Sequence, residues 1–199
     1  MTSIETDRLL IRNFTADDWR DLQAMIVQQE ASEYAAYDHQ WPTSDEEIRG
    51  VTKWFADGDS FLAVCLRATG EFIGFIALNP TEQEGCTEFN LGYRINADYH
   101  GKGYATEGCR AVLAHAFGPL AADRVVTRTA AANEPSCRLL ERLGMRKTGE
   151  SRGSFRRTPE GEPIEFLGFS FAISRDEWLA LGVGAGVTPA GYRTLPVAP

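Results

Sequence analysis

The chain lacks any unbroken apolar run of eighteen residues, so no segment is expected to cross a bilayer as a helix. Its opening, MTSIETDRLLIRNF, carries acids and lacks the basic-then-apolar order of a secretory leader. Cysteine is sparse: Cys65, Cys86, Cys109 and Cys137 are scattered without CxxC spacing. The three histidines are equally dispersed, which argues against zinc and leaves no metal site to propose. Free thiols in a reducing cytoplasm are the expectation. Positive charge is also short, with 20 Lys and Arg against 28 Asp and Glu, a net −8. No basic field is available for nucleic acid. The acidic balance suits a cationic acceptor, although solubility alone accounts for it equally well. Internal repeats are missing too.

What is present fits one ordinary globular domain. The 199 residues are 43% apolar and 24% charged, enough for a full-sized core. We expect a single domain over residues 1–181, followed by a Gly-, Ala- and Pro-rich tail over 182–199. Periodicity predicts strands near 8–14, 61–66, 72–78, 87–95, 124–129, 145–152 and 165–173. Helices fall between them. One begins at Thr15 and buries Trp19, Leu22, Met25 and Ile26. A second is capped by Ser44 and Glu47, with a stripe of Ile48, Val51, Trp54 and Phe55. A third runs from Tyr104 to about Phe117, and a fourth follows Asn133 as N-cap. The order implies an α/β fold: a mixed, mostly antiparallel central sheet of about seven strands, with helices on both faces and one parallel crossover.

The segment NLGYRINADYHGKGYATE, beginning at Asn90, joins a strand to the third helix. Gly101 and Gly103 allow close backbone approach, and the first N–H groups of a helix have no internal partner. Together with the helix dipole these make an anion site suited to a pyrophosphate. The spacing alone fits a plain strand-to-helix turn equally well. It lacks the third glycine of the dinucleotide fingerprint, where Thr106 stands, and the Lys-Ser/Thr of the nucleotide hydrolase loop.

Other segments add to that turn in matching order. The chain opens with Glu5-Thr6-Asp7-Arg8-Leu9-Leu10-Ile11-Arg12. Asn133-Glu134-Pro135-Ser136 begins a helix that ends in Leu143-Gly144-Met145, and Glu177-Trp178 closes the likeness. From Glu5 to Leu181 the chain resembles the GNAT acyltransferases, and within them the RimJ/RimL-like branch. The resemblance implies a sheet splayed between the fourth and fifth predicted strands, with acetyl-CoA as co-substrate in the slot. It implies pyrophosphate on the amides of Gly101, Lys102, Gly103, Tyr104 and Ala105, and a pantetheine arm beside Arg94 and Ile95. Asn133 would contact that arm. His100 stands where the family often has Gln or Arg, so its side-chain contact is left open.

Direct attack by an amine on a thioester asks for a proton acceptor and for a donor to the leaving thiolate. Many relatives place a tyrosine donor where this chain has Leu140. Ser136 remains, as in the RimL-like branch, although a serine there can simply cap its own helix. Relatives often carry a base where this chain has Asn90. Glu88 shares its nominal face and is either a base acting through water or a solvated strand residue. Glu107 reads as structural, at a helix N-terminus. Tyr34, Tyr37, His39, Trp41 and Asn90 are the candidates facing the acceptor, and Arg152, Arg156 and Arg157 flank a nearby loop. The expected activity is transfer of an acetyl group to a primary amine, on a protein N-terminus or a small molecule, by a monomer or homodimer. The alternative is a CoA-binding sensor without catalysis.

Overall fold

The computed structural model describes residues 2–182 and the pair 193–194. Most of the expected tail therefore lies outside the described residues. Among the described residues nine strands form one sheet: β1 (Ser3–Glu5), β2 (Leu9–Asn13), β3 (Phe61–Leu66), β4 (Phe72–Pro80), β5 (Glu88–Ile95), β6 (Arg124–Ala130), β7 (Arg146–Arg157), β8 (Pro163–Ser174) and β9 (Arg193–Thr194). Their spatial order is β7-β8-β6-β5-β4-β3-β2-β1-β9. Every pairing is antiparallel except that of β5 with β6. Five helices accompany it: α1 (Trp19–Glu30), α2 (Asp45–Ala56), α3 (Tyr104–Phe117), α4 (Glu134–Arg142) and α5 (Arg175–Ala180). The α/β class and mixed sheet match the expectation. Short β1 and β9 are additions that have too few residues to show a period.

Alternation along the strands sends side chains into two cores. Leu9, Ile11, Leu62, Val64, Ile76 and Leu91 pack with α3 and α4 on one face. Ala63, Cys65, Phe72 and Phe75 pack with Phe14, Trp19, Leu22 and Phe55 from the α1 and α2 side. The alternation of β4 resets at Gly74, beside a register shift between Val64 and Cys65. A Cβ on Gly74 would sit 2.2 Å from the Arg94 carbonyl oxygen and 2.9 Å from Ile95 Cα, so only glycine fits against β5 there.

Two local expectations change. Trp54 is 63% exposed rather than part of the α2 stripe. It lies six residues past Ile48, about a third of a turn off the buried face at ~100° per residue. The β7–β8 hairpin is longer than the expected strands, reaching Arg157 and Pro163. Its pairing runs past charged, exposed residues that carry no apolar period. The extension matters because it lays Phe155 and Arg156 over the link between α1 and α2.

The feature that shapes the site is a parting of strands. The parallel ladder between β5 and β6 has only three pairs, Glu88↔Arg124, Phe89↔Val125 and Asn90↔Val126. Beyond them β5 continues along β4 as far as Gly74↔Ile95, and β6 continues along β8 as far as Ala130↔Gly168. A slot opens between two strands that each keep one neighbour.

Candidate active site

The polarity of the slot follows from the ladder. Thr81 N–H donates to Glu88 O and Asn96 N–H to Ile73 O, each at 2.9 Å, so even-numbered residues of β5 turn their backbone groups toward β4. Alternation then turns those of Tyr93 and Ile95 into the slot, past the last parallel pair. His100 Nε2 lies 2.7 Å from the Ile95 carbonyl and occupies it. The amides of Tyr93 and Ile95 and the Tyr93 carbonyl remain as a free strand edge.

At the end of this edge the chain turns through two left-handed glycines, Gly101 at φ 72° and Gly103 at φ 82°. Other residues adopt that region at a cost, which is why both positions are glycine. Among the described residues, the N–H groups of Gly101, Lys102, Gly103, Tyr104 and Ala105 have no hydrogen-bond partner. Five unpaired donors and the positive end of α3 thus lie together in one short turn. Lys102 does not point its ammonium at the turn; it donates to the Asp98 carbonyl at 2.9 Å.

The opening motif braces this turn from behind. Thr6 Oγ1 donates to Glu107 Oε1 at 2.5 Å, and Arg8 Nε donates to Glu107 Oε2 at 2.6 Å. Arg8 Nη1 also donates to the Lys102 carbonyl at 2.9 Å, and its guanidinium lies 4.5 Å over the Tyr104 ring. Glu107 is therefore structural, and Arg8 adds a cation that sequence reasoning missed. The clue was available, since an arginine at a fixed place in the opening motif has to reach something.

On the α4 side, Asn133 caps the helix by accepting from Ser136 N–H at 3.2 Å. Ser136 Oγ lies 2.6 Å from the Tyr93 hydroxyl. The Tyr93 ring packs against the core cluster of α3 and α4. Burial pushes its hydroxyl pKa well up from the usual tyrosine range. Leu140, one turn later, is 1% exposed and purely apolar.

Toward α1 a cleft of about 340 Å³ is lined by Met25, Gln28, Gln29, Tyr34, Arg94 and His100. Burial, opposed by the neighbouring carboxylates, lowers the Arg94 pKa, and the guanidinium pairs with Asp38 and lies 5.2 Å over the Trp41 ring. Arg156 clasps Glu30 through two bonds of 2.8 and 2.9 Å and donates to the Asp38 carbonyl at 2.9 Å. Burial works against ionisation of Glu30, but the Arg156 bonds outweigh it and hold the carboxyl below its ordinary range. His39 packs at a tilt against Phe155, with ring centres 4.2 Å apart, and Tyr37 meets Phe166 edge-to-face at 5.6 Å. The link carrying these residues is thus pinned by the β7–β8 hairpin.

The structure gathers Arg94, Ile95, His100 and the turn with Asn133 and Ser136 around one slot, and Tyr34 and Trp41 beside it. Tyr37 and His39 serve the clasp, with His39 exposed. Asn90 is exposed at the point where the strands part. Glu88 is elsewhere. It is 7% exposed, with Arg124 Nε donating to it at 2.5 Å and Thr81 Oγ1 at 2.8 Å. Five residues of strand, about 17 Å, separate it from Tyr93. Its carboxylate ties the closed end of the slot rather than facing it. The described residues include no cluster of three or more metal-ligating side chains, and no helix long and apolar enough to cross a membrane.

A parted parallel pair that runs into a helix turn with unpaired amides is the arrangement that the resemblance to the acyltransferases implied. The acetyltransferase (GNAT) domain model matches residues 8–146. The Bacillus subtilis protein called uncharacterized N-acetyltransferase YnaD is 29% identical over 176 residues, 88% of this chain and 98% of that protein. In fold the chain is similar to the ribosomal-protein-S5-alanine acetyltransferase of Vibrio fischeri, with a TM-score of 0.73 at 15% identity, covering 88% of this chain and 98% of that one. It is similar also to the spermidine N-acetyltransferase of Vibrio cholerae in complex with CoA and spermine, with a TM-score of 0.71 at 16% identity over 87% and 99% of the two chains. The chain belongs to the GNAT family and is an acetyl-CoA-dependent N-acetyltransferase.

Proposed function

We propose that acetyl-CoA lies along the free edge of β5, with its diphosphate on the amides of residues 101–105 and its acetyl group between Arg94 and Ser136. The observation that carries this is the set of five unpaired N–H groups at the head of α3, continuous with an unpaired strand edge. An extended pantetheine arm can add to such an edge as a further strand would. Asn133 holds the first turn of α4, and Ser136 presents a hydroxyl where the departing sulfur would lie. His100 holds the Ile95 carbonyl and so keeps the arm's path fixed. Free thiols at all four cysteines fit the reducing cytoplasm.

The acceptor class follows from the carboxylates. Glu30 and Asp38 are paired to arginines, Glu88 is locked at the far end, and Glu33 stands exposed at the cleft rim. Among the described residues, no buried carboxylate is left free in the slot to strip a strongly basic amine. An α-amine, with an ordinary pKa of about 8, is about one-tenth neutral at pH 7 without help, whereas a lysine- or polyamine-type amine near 10 is only about one-thousandth neutral. Once bound, proximity supplies much of the acceleration. The Gln29 amide and the Gln28 amide nitrogen offer neutral hydrogen bonds suited to peptide amides, while Gln28 Oε1 already accepts from Ala97 N–H and Ser32 Oγ donates to the Gln29 carbonyl. We therefore assign the RimJ/RimL-like branch and a protein or peptide N-terminus as acceptor. Thiol release from acetyl-CoA, followed across N-terminal peptides, polyamines and small amines, tests this. Preference for peptides is expected; preference for polyamines overturns the acceptor class, and CoA binding without turnover on any amine favours the sensor.

A further inference from the structure

The tyrosine that many relatives carry on α4 is replaced here by Leu140, which has no proton to offer. A phenol nevertheless reaches the first turn of that helix, from a different element. Tyr93 projects from β5 at the mouth of the slot and brings its hydroxyl to within 2.6 Å of Ser136 Oγ. We infer that Tyr93 is a positioning residue: it donates its hydroxyl proton to Ser136 Oγ and thereby turns the serine O–H toward the sulfur of the leaving CoA. This rests on the acetyl-CoA slot described above and assigns to it a residue on the strand.

The direction of the hydrogen bond decides the matter. Two acceptors lie near the phenol, Ser136 Oγ at 2.6 Å and the Ser136 carbonyl at 3.5 Å. The second is too long to hold the proton in competition with the first. Both groups are protonated hydroxyls, and a phenol is a stronger hydrogen-bond donor than an aliphatic alcohol, so the bond is assigned with Tyr93 as donor. With Tyr93 as donor, the serine's own proton is not spent on the phenol and can be given to another acceptor. Without Tyr93, the hydroxyl is free to rotate, and helical serines bond back to their own carbonyls.

In the reaction the amine lone pair forms the new C–N bond and the C–S bond breaks with its electron pair on sulfur. The amine loses one proton to solvent, and the thiolate gains one from solvent. Ser136 supplies a fixed hydrogen bond to sulfur while that charge develops, and neither hydroxyl is consumed.

Titration of the thiol of bound CoA, read from thiolate ultraviolet absorbance, tests this without any acceptor. In the wild-type protein the bound thiol is expected to titrate below free CoA. Ser136→Ala and Tyr93→Phe should each raise it by about one unit, a tenfold loss of relative thiolate stability. The double variant should match Ser136→Ala alone, because Tyr93 acts through the serine. Steady-state kcat should fall about tenfold in each single variant and no further in the double, with KM for acetyl-CoA within about twofold. If Tyr93→Phe disturbs folding, 3-fluorotyrosine at position 93 keeps the shape with a more acidic phenol and should lower the bound thiol further. A Tyr93→Phe protein whose bound thiol titrates as wild type, or a double variant with additive shifts, overturns the inference alone. Failure of CoA to bind the wild-type protein overturns the slot and the inference together.

Discussion

The two ends of β5 share a strand and differ in almost everything else. At the Glu88 end the backbone is paired on both sides, and the side chain is locked between Arg124 and Thr81. At the Ile95 end one edge is bare, the following turn holds five unpaired amides, and the Tyr93 hydroxyl meets Ser136 across the gap. The unpaired amides belong to exposed or partly exposed residues, so they meet solvent and stand open to an anionic ligand, whereas the groups at the Glu88 end are already paired within the protein. One end stabilises the fold. The other is where we propose the ligand binds.

Substitutions at the two ends should therefore separate affinity from stability. The largest effect is expected for Gly103→Asp, which puts a side chain at φ 82° and a negative charge beside the amides. CoA affinity measured by calorimetry should fall on the order of 100-fold or more. Next is Arg8→Ala, which removes the guanidinium that ties the Lys102 carbonyl and Glu107 behind the turn. It should weaken CoA about tenfold in the same measurement. At the other end, Glu88→Gln should cost about 1–2 kcal/mol in chemical denaturation, since Arg124 is partly solvated and the pair is correspondingly screened. Its kcat, per folded molecule, should stay at the wild-type value; a large loss of kcat at unchanged stability would return Glu88 to the chemistry.

The smallest effect concerns pH. His115, in the last turn of α3, is buried and its pKa is lowered by that burial. The unfolded chain then binds the proton more readily than the folded one. Stability is unaffected above the ordinary histidine pKa of about 6.5 and falls as pH drops through it. Melting temperatures between about pH 7.5 and 5.5 should decline in the wild-type protein and decline less in His115→Leu.

Much of the open end was legible in the sequence because glycine and helix-capping residues act locally. Gly101, Gly103, Asn133 and the break after Ile95 each constrain a few neighbouring residues, and each holds its expected structural place. The pairings that give the site its character were not legible. Glu88 stood open between a base acting through water and a solvated strand residue, because strand alternation gives a face and not a partner, and Arg124 lies 36 residues away. Tyr93 fell on the apolar face of its strand beside Leu91, where nothing local distinguishes a packed ring from one whose hydroxyl crosses to another helix. The clasp between Arg156 and Glu30 spans 126 residues and depends on a hairpin whose exposed strands carry no period. Trp54 shows the converse error, an aromatic read as core when its helical phase faces solvent.

Amide hydrogen exchange with and without CoA tests the central claim most directly. Slower exchange is predicted at the amides of residues 101–105 and at Tyr93 and Ile95, with none added at 88–90, which are already paired. Unchanged exchange at 101–105 with CoA saturating, or new protection confined to another face, would contradict the account.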